Sequence, residues 1–365
     1  MTKKQHYLPR FLLKKFATDI DKKHINIHLM KNNEFIIDGV LYDQAQENYL
    51  YGSDQKLENF FGVLEGLTSP VIEKLLTGSL ALSEEEKLHM KLFIMYQLNR
   101  TPGSIDLTND SIDSMIKNAA SHDKFLKDRL SEFSTELKKP YMFQFRIATE
   151  ALHVILDLRI GLLESNGNIP FILGQNPVIR LNPFLQEKGW KKSTQGLALK
   201  GLILIMPIGP KYSVVLYDNS RYSITNNSPK WIISDDDVNF LNRLQYFNTY
   251  DCIYFSYIPN MDTYKQLALE TQKYRDNVRV SIDLFSSKEN KDGSKKEIVN
   301  SGLVEYPIKQ KCKFYAIKEM AYKEQITNIH EATRDIMPNF ILDEINRRKG
   351  IRKLVSSQSN SLGSI

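Results

Sequence analysis

The hydrophobic period of this chain changes near residue 155, and that change limits the architectures open to it. Before it, apolar residues recur at the three- and four-residue spacing of amphipathic helices. After it, short apolar runs bounded by turn residues take over. Helices first and strands second point to an α+β fold, with a helical N-terminal layer packed on a mostly antiparallel sheet formed by the middle of the chain. The expected organisation is a single domain over 1–284, helical over 1–154 and sheet-rich over 155–258, with a further helix at 262–278. Residues 285–302, rich in Ser, Lys, Asn and Gly, read as a flexible insertion. A strand and helix extension at 303–355 and a disordered polar tail at 356–365 complete the chain.

Local signals fix the expected elements. Pro9 suits the first turn of a helix, so Arg10 onward should wind, with His6 in an extended run ahead of it. A hairpin is expected from 25–30 and 34–37. A helix should run from 54 to about 67, followed by a short one with Pro70 in its first turn and Gly78 closing it. Ser83-Glu84-Glu85-Glu86 is a capping box that opens a helix ending at Arg100, before Thr101-Pro102. Helices follow over 110–137 and 141–154. Asn166-Gly167 signals a hairpin joining 155–163 to 169–181, and a second hairpin joins 201–207 to 212–217. A helix capped by Ser234 runs from 235 to about 249, then a buried strand at 252–256. A strand at 313–317 and a helix at 340–354 come last.

The charged share of 25% and apolar share of 42% are those of an ordinary soluble protein. No apolar run reaches membrane-spanning length, and no signal peptide follows Met1, so a cytoplasmic protein without a membrane partner is expected. Cys252 and Cys312 are too few for a disulfide framework or a zinc spacing. The net charge of +6 permits contact with phosphate backbones without requiring it. Arg347, Arg348, Lys349, Arg352 and Lys353 form the densest basic cluster, read either as a helix end or as an anionic-surface patch.

The candidate chemistry begins at Gln5-His6-Tyr7-Leu8-Pro9-Arg10, which sets an imidazole and a guanidinium either side of a proline. Winding 54–67 at about 100° per residue gives an apolar stripe of Leu57, Phe60, Phe61, Leu64 and Leu67. Asp54, Glu58 and Glu65 then share one flank. Three neighbouring carboxylates need a cationic counterpart, either His6 and Arg10 or a divalent metal such as Mg²⁺ or Mn²⁺. On the 83–100 helix, Leu88, Leu92, Met95 and Tyr96 form the apolar face with Asn99 inside it, and Arg100 and Gln97 lie on its flank. Arg100 could bond the last carbonyls of its own helix or clamp a phosphate or carboxylate. Arg146 and His153, with six residues between them, imitate the spacing of HEPN-type ribonucleases, although Ile147 stands where those enzymes carry a polar residue. A glycine-rich phosphate loop, a Gly-x-Ser-x-Gly elbow and a His-Glu-x-x-His helix are absent from the sequence.

The stretch Gln5-His6-Tyr7-x-Pro9-Arg10 resembles the N-terminal signature of a widespread microbial family known only as a domain of unknown function, number 4238. Tyr51-Gly52-x-Asp54, Glu58, Glu65, Gln97-x-x-Arg100-Thr101-Pro102, Asn176-Pro177 and Asn242 extend the resemblance over roughly residues 5–256. Family members resemble Thr-Ser-Asp-Asn-Pro before the second of these prolines, and here Gly174 and Gln175 replace the Ser and Asp. The resemblance carries no established mechanism. A defence-related toxin with a protein partner is suggested only by family-level association.

Two functional readings follow. In the first, the protein is a metal-dependent phosphodiesterase or nuclease. His6 and Glu58 act as acid and base, Asp54, Glu58 and Glu65 hold the metal, and Gln5, Arg10, Gln97, Arg100, Asn176 and Asn242 bind substrate. In the second, it is a non-catalytic binding or sensing module for nucleic acid or a small anionic ligand. There the same polar residues form a structural network. The distance test between them is whether His6, Arg10, Asp54, Glu58, Arg100 and Asn176 converge in one pocket.

Overall fold

A computed structural model describes residues 4–52, 55–110, 140–190, 194–224, 230–275, 280–286, 297–303, 306–309, 312–327 and 329–335. At the N-terminus, β1 (Lys4–His6) pairs antiparallel with β4 (Gln46–Asn48), placing Gln5 opposite Glu47. Pro9 caps α1 (Arg10–Leu13), and a 3₁₀ turn extends the helix to Phe16. Leu12, Leu13 and Phe16 are buried. The expected hairpin forms from β2 (His24–Leu29) and β3 (Glu34–Val40).

The two helices expected across Pro70 are one, α2 (Lys56–Leu76). The stripe Leu57, Phe61, Leu64, Thr68, Val71, Ile72 and Leu75 continues at helical spacing through the proline, so burial outweighs the local break. Gly66, whose carbonyl loses its donor to Pro70, is exposed and can be hydrated there. Leu67, assigned to the apolar stripe from sequence, is instead 46% exposed. In α3 (Glu84–Asn99), the Ser83 hydroxyl accepts from Glu86 N and the Glu86 carboxylate accepts from Ser83 N, closing the capping box. Its second half, from Met90 to Leu98, is buried on nearly every side, because α3 is sandwiched between α2 and α4 (Pro140–Glu150). Leu88 lies outside that region and is exposed. Asn99 is only half-buried and bonds back to Met95 O, whereas Gln97 is the buried amide.

Among the described residues, two larger sheets dominate the β portion, beside three two-stranded pairs. The larger has strand order β11-β5-β9-β8-β7, built from β5 (Arg159–Ser165), β7 (Ile179–Leu181), β8 (Ile203–Pro207), β9 (Tyr212–Tyr217) and β11 (Lys230–Ile233). All its pairs are antiparallel except β11 with β5. The smaller, β3-β2-β12-β6, is antiparallel throughout and adds β6 (Leu173–Gly174) and β12 (Cys252–Phe255). The protein is therefore α+β, with one correction: the N-terminal hairpin supplies half of the second sheet.

The hairpin expected at Asn166-Gly167 does not form. β5 pairs with β9 and β11, while β6 joins β12 in the other sheet. Gly167 does take a positive φ of +105°, so the dipeptide turns the chain. The turn cannot choose the partner, because β5 is buried on both faces and tertiary packing sets its neighbours. The hairpin from β8 and β9 forms as expected.

Strand alternation divides the core. Leu204, Met206, Val214 and Leu216 face the cluster built with α1, α2 and α3, while Ile179, Leu181, Ile203, Ile205 and Val215 face the opposite one. That second cluster takes Val238, Leu241 and Leu244 from α6 (Asp235–Asn248), capped by Ser234 as expected. Short α5 (Pro183–Glu187) begins at Asn182, whose side chain accepts from Leu185 N. The expected helix near 262 is α7 (Met261–Arg275).

Farther on, β13 (Val280–Ser286) pairs with β14 (Glu297–Leu303), so the stretch read as a flexible insertion contributes a strand. β10 (Tyr222–Ile224) pairs with β15 (Tyr315–Ile317). Arg334 ties the far end back, donating to Asp157, Leu199 O, Val154 O and Leu197 O. The rest of the 110–137 helix, the 340–354 helix, the C-terminal basic cluster and the tail lie outside the described residues. Among the described residues no helix is long and apolar enough to cross a membrane.

Candidate functional site

The N-terminal signature closes a clasp around the Tyr7 backbone. β1 buries Gln5 completely, and its side chain is fully used: Nε2 donates to Gly52 O at 3.0 Å, and Oε1 accepts from Tyr51 N at 2.6 Å. The Tyr51 hydroxyl donates to Arg100 O at 3.0 Å. From the end of α3, Gln97 Nε2 and Arg100 Nε both donate to Tyr7 O, at 2.9 and 3.1 Å. Arg100 Nη1 donates to Glu65 Oε1 on α2 at 2.9 Å, and the guanidinium lies 4.8 Å from the Phe61 ring centre. Arg100 thus reaches into the N-terminal strand rather than onto its own helix carbonyls. The hollow beside it, walled by Tyr51, Leu57, Phe61 and Tyr96, has about 10 Å³ open to water-sized spheres, room for at most one water.

His6, Arg10 and Glu58 gather at the rim of this clasp. Burial and the Arg10 guanidinium push the His6 pKa down to about 4, against a hydrogen bond with the Gln44 backbone that raises it. The imidazole is therefore neutral at neutral pH, and its Nδ1 is buried with no partner among the described residues. Arg10 is exposed and stacks over Tyr42, 4.9 Å from the ring centre. Burial first, then Glu65, raises the Glu58 pKa, while Arg100 and Arg10 oppose the shift. The carboxylate paired with the buried arginine is Glu65. Asp54 lies outside the described residues, and among those residues no three His, Cys, Asp or Glu side chains come together as metal ligands.

Asn242 and Asn176 belong to a second network. One face of α6 presents Asn242, Gln245 and Asn248 at helical spacing to the extended segment 170–178. Asn242 accepts from Ile172 N and donates to Pro170 O. Gln245 accepts from Gly174 N and donates to Pro177 O, and Asn248 donates to Asn176 O and Val178 O. Asn176 returns a bond to Asn248 O at 2.9 Å. Gly174 is required here, because a Cβ would fall 2.2 Å from Thr249 Oγ1 and 2.6 Å from Gln245 Oε1. Gln175, standing where the family carries Asp, donates to the Tyr7 hydroxyl at 3.1 Å and so joins the two networks.

Between them opens a small polar cleft that sequence reading missed. Gln97, Thr101 and Ser104 line one side, and Asn176, Arg180, Gln195 and Asn248 another, with Tyr274 and Tyr306 beside them. It holds about 40 Å³ open to water-sized spheres. Arg180 alternates with Ile179 and Leu181 on edge strand β7, a pattern that reads as a solvent-facing charge. Register places it opposite Leu204, on the side facing the helical layer. No ion pair to Arg180 forms among the described residues, and burial lowers its pKa to about 10, leaving it charged at neutral pH. Three lining amides have an atom without a partner among the described residues: Gln97 Oε1, Asn176 Oδ1 and Gln195 Nε2.

The two readings' residues therefore fall into two groups. Gln97 and Arg100 hold Tyr7, Gln5 and Glu65 support that clasp, His6 and Glu58 are coupled electrostatically to Arg10 and Arg100, and Gln97 with Asn176 borders the cleft. Asn242 is committed to backbone elsewhere. Arg146 and His153 both serve Glu150 at the surface, through its carboxylate and its carbonyl respectively.

The architecture is thus an α+β protein whose N-terminal signature locks a helical layer to a sheet beside a small cationic cleft. The chain belongs to the family described as "Protein of unknown function (DUF4238)", whose model matches residues 4–257. No curated protein and no solved structure matches it.

Proposed function

We propose that this protein is a non-catalytic binding module for a small anionic ligand, received in the cleft at Arg180. The observation that carries the reading is a half-buried guanidinium without an ion-pair partner among the described residues, lining the same cleft as buried amides with unused hydrogen-bonding atoms. Buried polar groups are ordinarily satisfied, so a cluster of exceptions in one cavity asks for a ligand that supplies the missing bonds. The size of the cleft favours a small molecule over a nucleic acid strand. Gln5, Gln97, Arg100 and Glu65 act in this reading as the frame that sets the cleft wall. The test is thermal unfolding with a panel of small anions. A ligand in the panel should raise the melting temperature of the wild-type chain, and Arg180→Met should remove the rise.

A metal-dependent phosphodiesterase is the second reading. It draws on His6, which is neutral, half-buried and beside Arg10, and on Glu58, whose carboxyl holds its proton more tightly than usual. It predicts cleavage of DNA or RNA with Mg²⁺ or Mn²⁺, abolished by His6→Ala. Cleavage unchanged by that substitution removes His6 from the role.

A further inference from the structure

The cleft's wall has both signs of hydrogen-bonding demand. Arg180 and Gln195 Nε2 can only donate. Gln97 Oε1 and Asn176 Oδ1 can only accept, and their orientation is fixed, because Gln97 Nε2 is committed to Tyr7 O and Asn176 Nδ2 to Asn248 O. A simple carboxylate satisfies the donors and leaves two carbonyl oxygens facing ligand oxygen, whereas a protonated phosphate can donate to them only through a hydroxyl on the same centre that carries its charge. A simple ammonium does the reverse against a guanidinium. A ligand with an anionic end and an N–H donor end satisfies all four, and it matches the guanidinium's charge as well. The cavity's about 40 Å³ corresponds to about three waters, which restricts the ligand to a few heavy atoms.

Resting on the binding-module reading of this same cleft, we infer that its ligand is a compact zwitterion of the amino-acid type. The carboxylate is held by Arg180 and Gln195, and the ammonium by the amide oxygens of Asn176 and Gln97. The cavity admits the glycine backbone with at most a very small side chain. Tyr274 and Tyr306, beyond the family-matched segment, close the far wall.

Calorimetric titration of the full chain with glycine, L-alanine, acetate, inorganic phosphate and methylammonium tests this. Glycine is expected to bind at least tenfold more tightly than acetate and methylammonium, and Arg180→Met to weaken glycine at least tenfold while the ligand-free melting temperature stays in place. Should Arg180→Met fail to fold, Arg180→Lys keeps the charge but loses the two-pronged geometry, and several-fold weaker glycine binding is expected. Acetate or phosphate binding as tightly as glycine, and lost in the Arg180 variant, overturns the zwitterion but leaves the anion-binding reading. No binding by any probe overturns both, and glycine binding indifferent to Arg180 overturns the location.

Discussion

Arg100 shows how one side chain is fixed by several weak demands at once. Its side chain is almost fully enclosed and answers to Glu65, the Tyr7 carbonyl and the Phe61 ring. Removing the one carboxylate paired with it among the described residues strands a buried charge, so Glu65→Leu is expected to cost about 2–4 kcal/mol, read from the urea midpoint. Glu58 behaves oppositely. Its raised pKa means the charged form is disfavoured in the folded state, so its contribution is fully present below the ordinary carboxylate pKa and is lost as pH rises. Glu58→Gln should therefore raise the melting temperature slightly at pH 7, by less than about 1 kcal/mol equivalent after solvent screening. The gain should vanish below about pH 4.5. For His6 the sign reverses: with its pKa lowered from 6.5 to about 4, stability is present above 6.5 and falls as pH drops toward 4. A His6→Gln variant should lose less stability across that window in melting curves taken from pH 7 to pH 4.

At the scale of elements, the amide-bearing face of α6 matters more than any single bond. Gly174→Ala places a methyl group against Thr249 and Gln245 in a fully packed region and is expected to destabilise by about 2 kcal/mol. Chemical denaturation checks it, and a change near zero would mean that the ladder can shift to make room. How much was legible in the sequence divides along the same line. The Ser83–Glu86 box and the β8–β9 hairpin rest on local chemistry and could be read directly. Asn166-Gly167 misleads because a turn dipeptide specifies a reversal and not the strand that receives it. Pro70 signals a boundary that the stripe running to Leu75 overrides. At the site, the winding of α2 found Glu65, but only the packing of α3 against β1 shows that Arg100 is its partner and Tyr7 their meeting point. Arg180 was invisible, since an arginine between Ile179 and Leu181 looks solvated until the helices covering that face are known.

At the scale of the molecule, the family-matched segment ends before the fold does. Tyr264 and Ala268 fill one core cluster, and Tyr306, Phe314 and Ala332 fill another. Arg334 then binds Asp157 and three backbone carbonyls far back in the chain. A chain cut after residue 257 should therefore expose apolar surface and unfold without a sharp transition, measurable by dye binding and calorimetry. A cooperative melt in that fragment would show that the C-terminal residues only decorate a complete unit.

The contact between α6 and segment 170–178 has one more result, which concerns how these molecules behave towards each other at high concentration. β6 is an outer strand of its sheet, and the N–H and C=O groups along such a margin ordinarily offer a template on which a neighbouring molecule's strand can add. Gln245 takes the outward Gly174 N of that strand, and Asn242 and Gln245 take Ile172 N, Pro170 O and Pro177 O in the backbone flanking it, all from within the same chain. The helix thus covers this one margin of the sheet, and loosening it should appear as sticky, assembling protein before any loss of secondary structure.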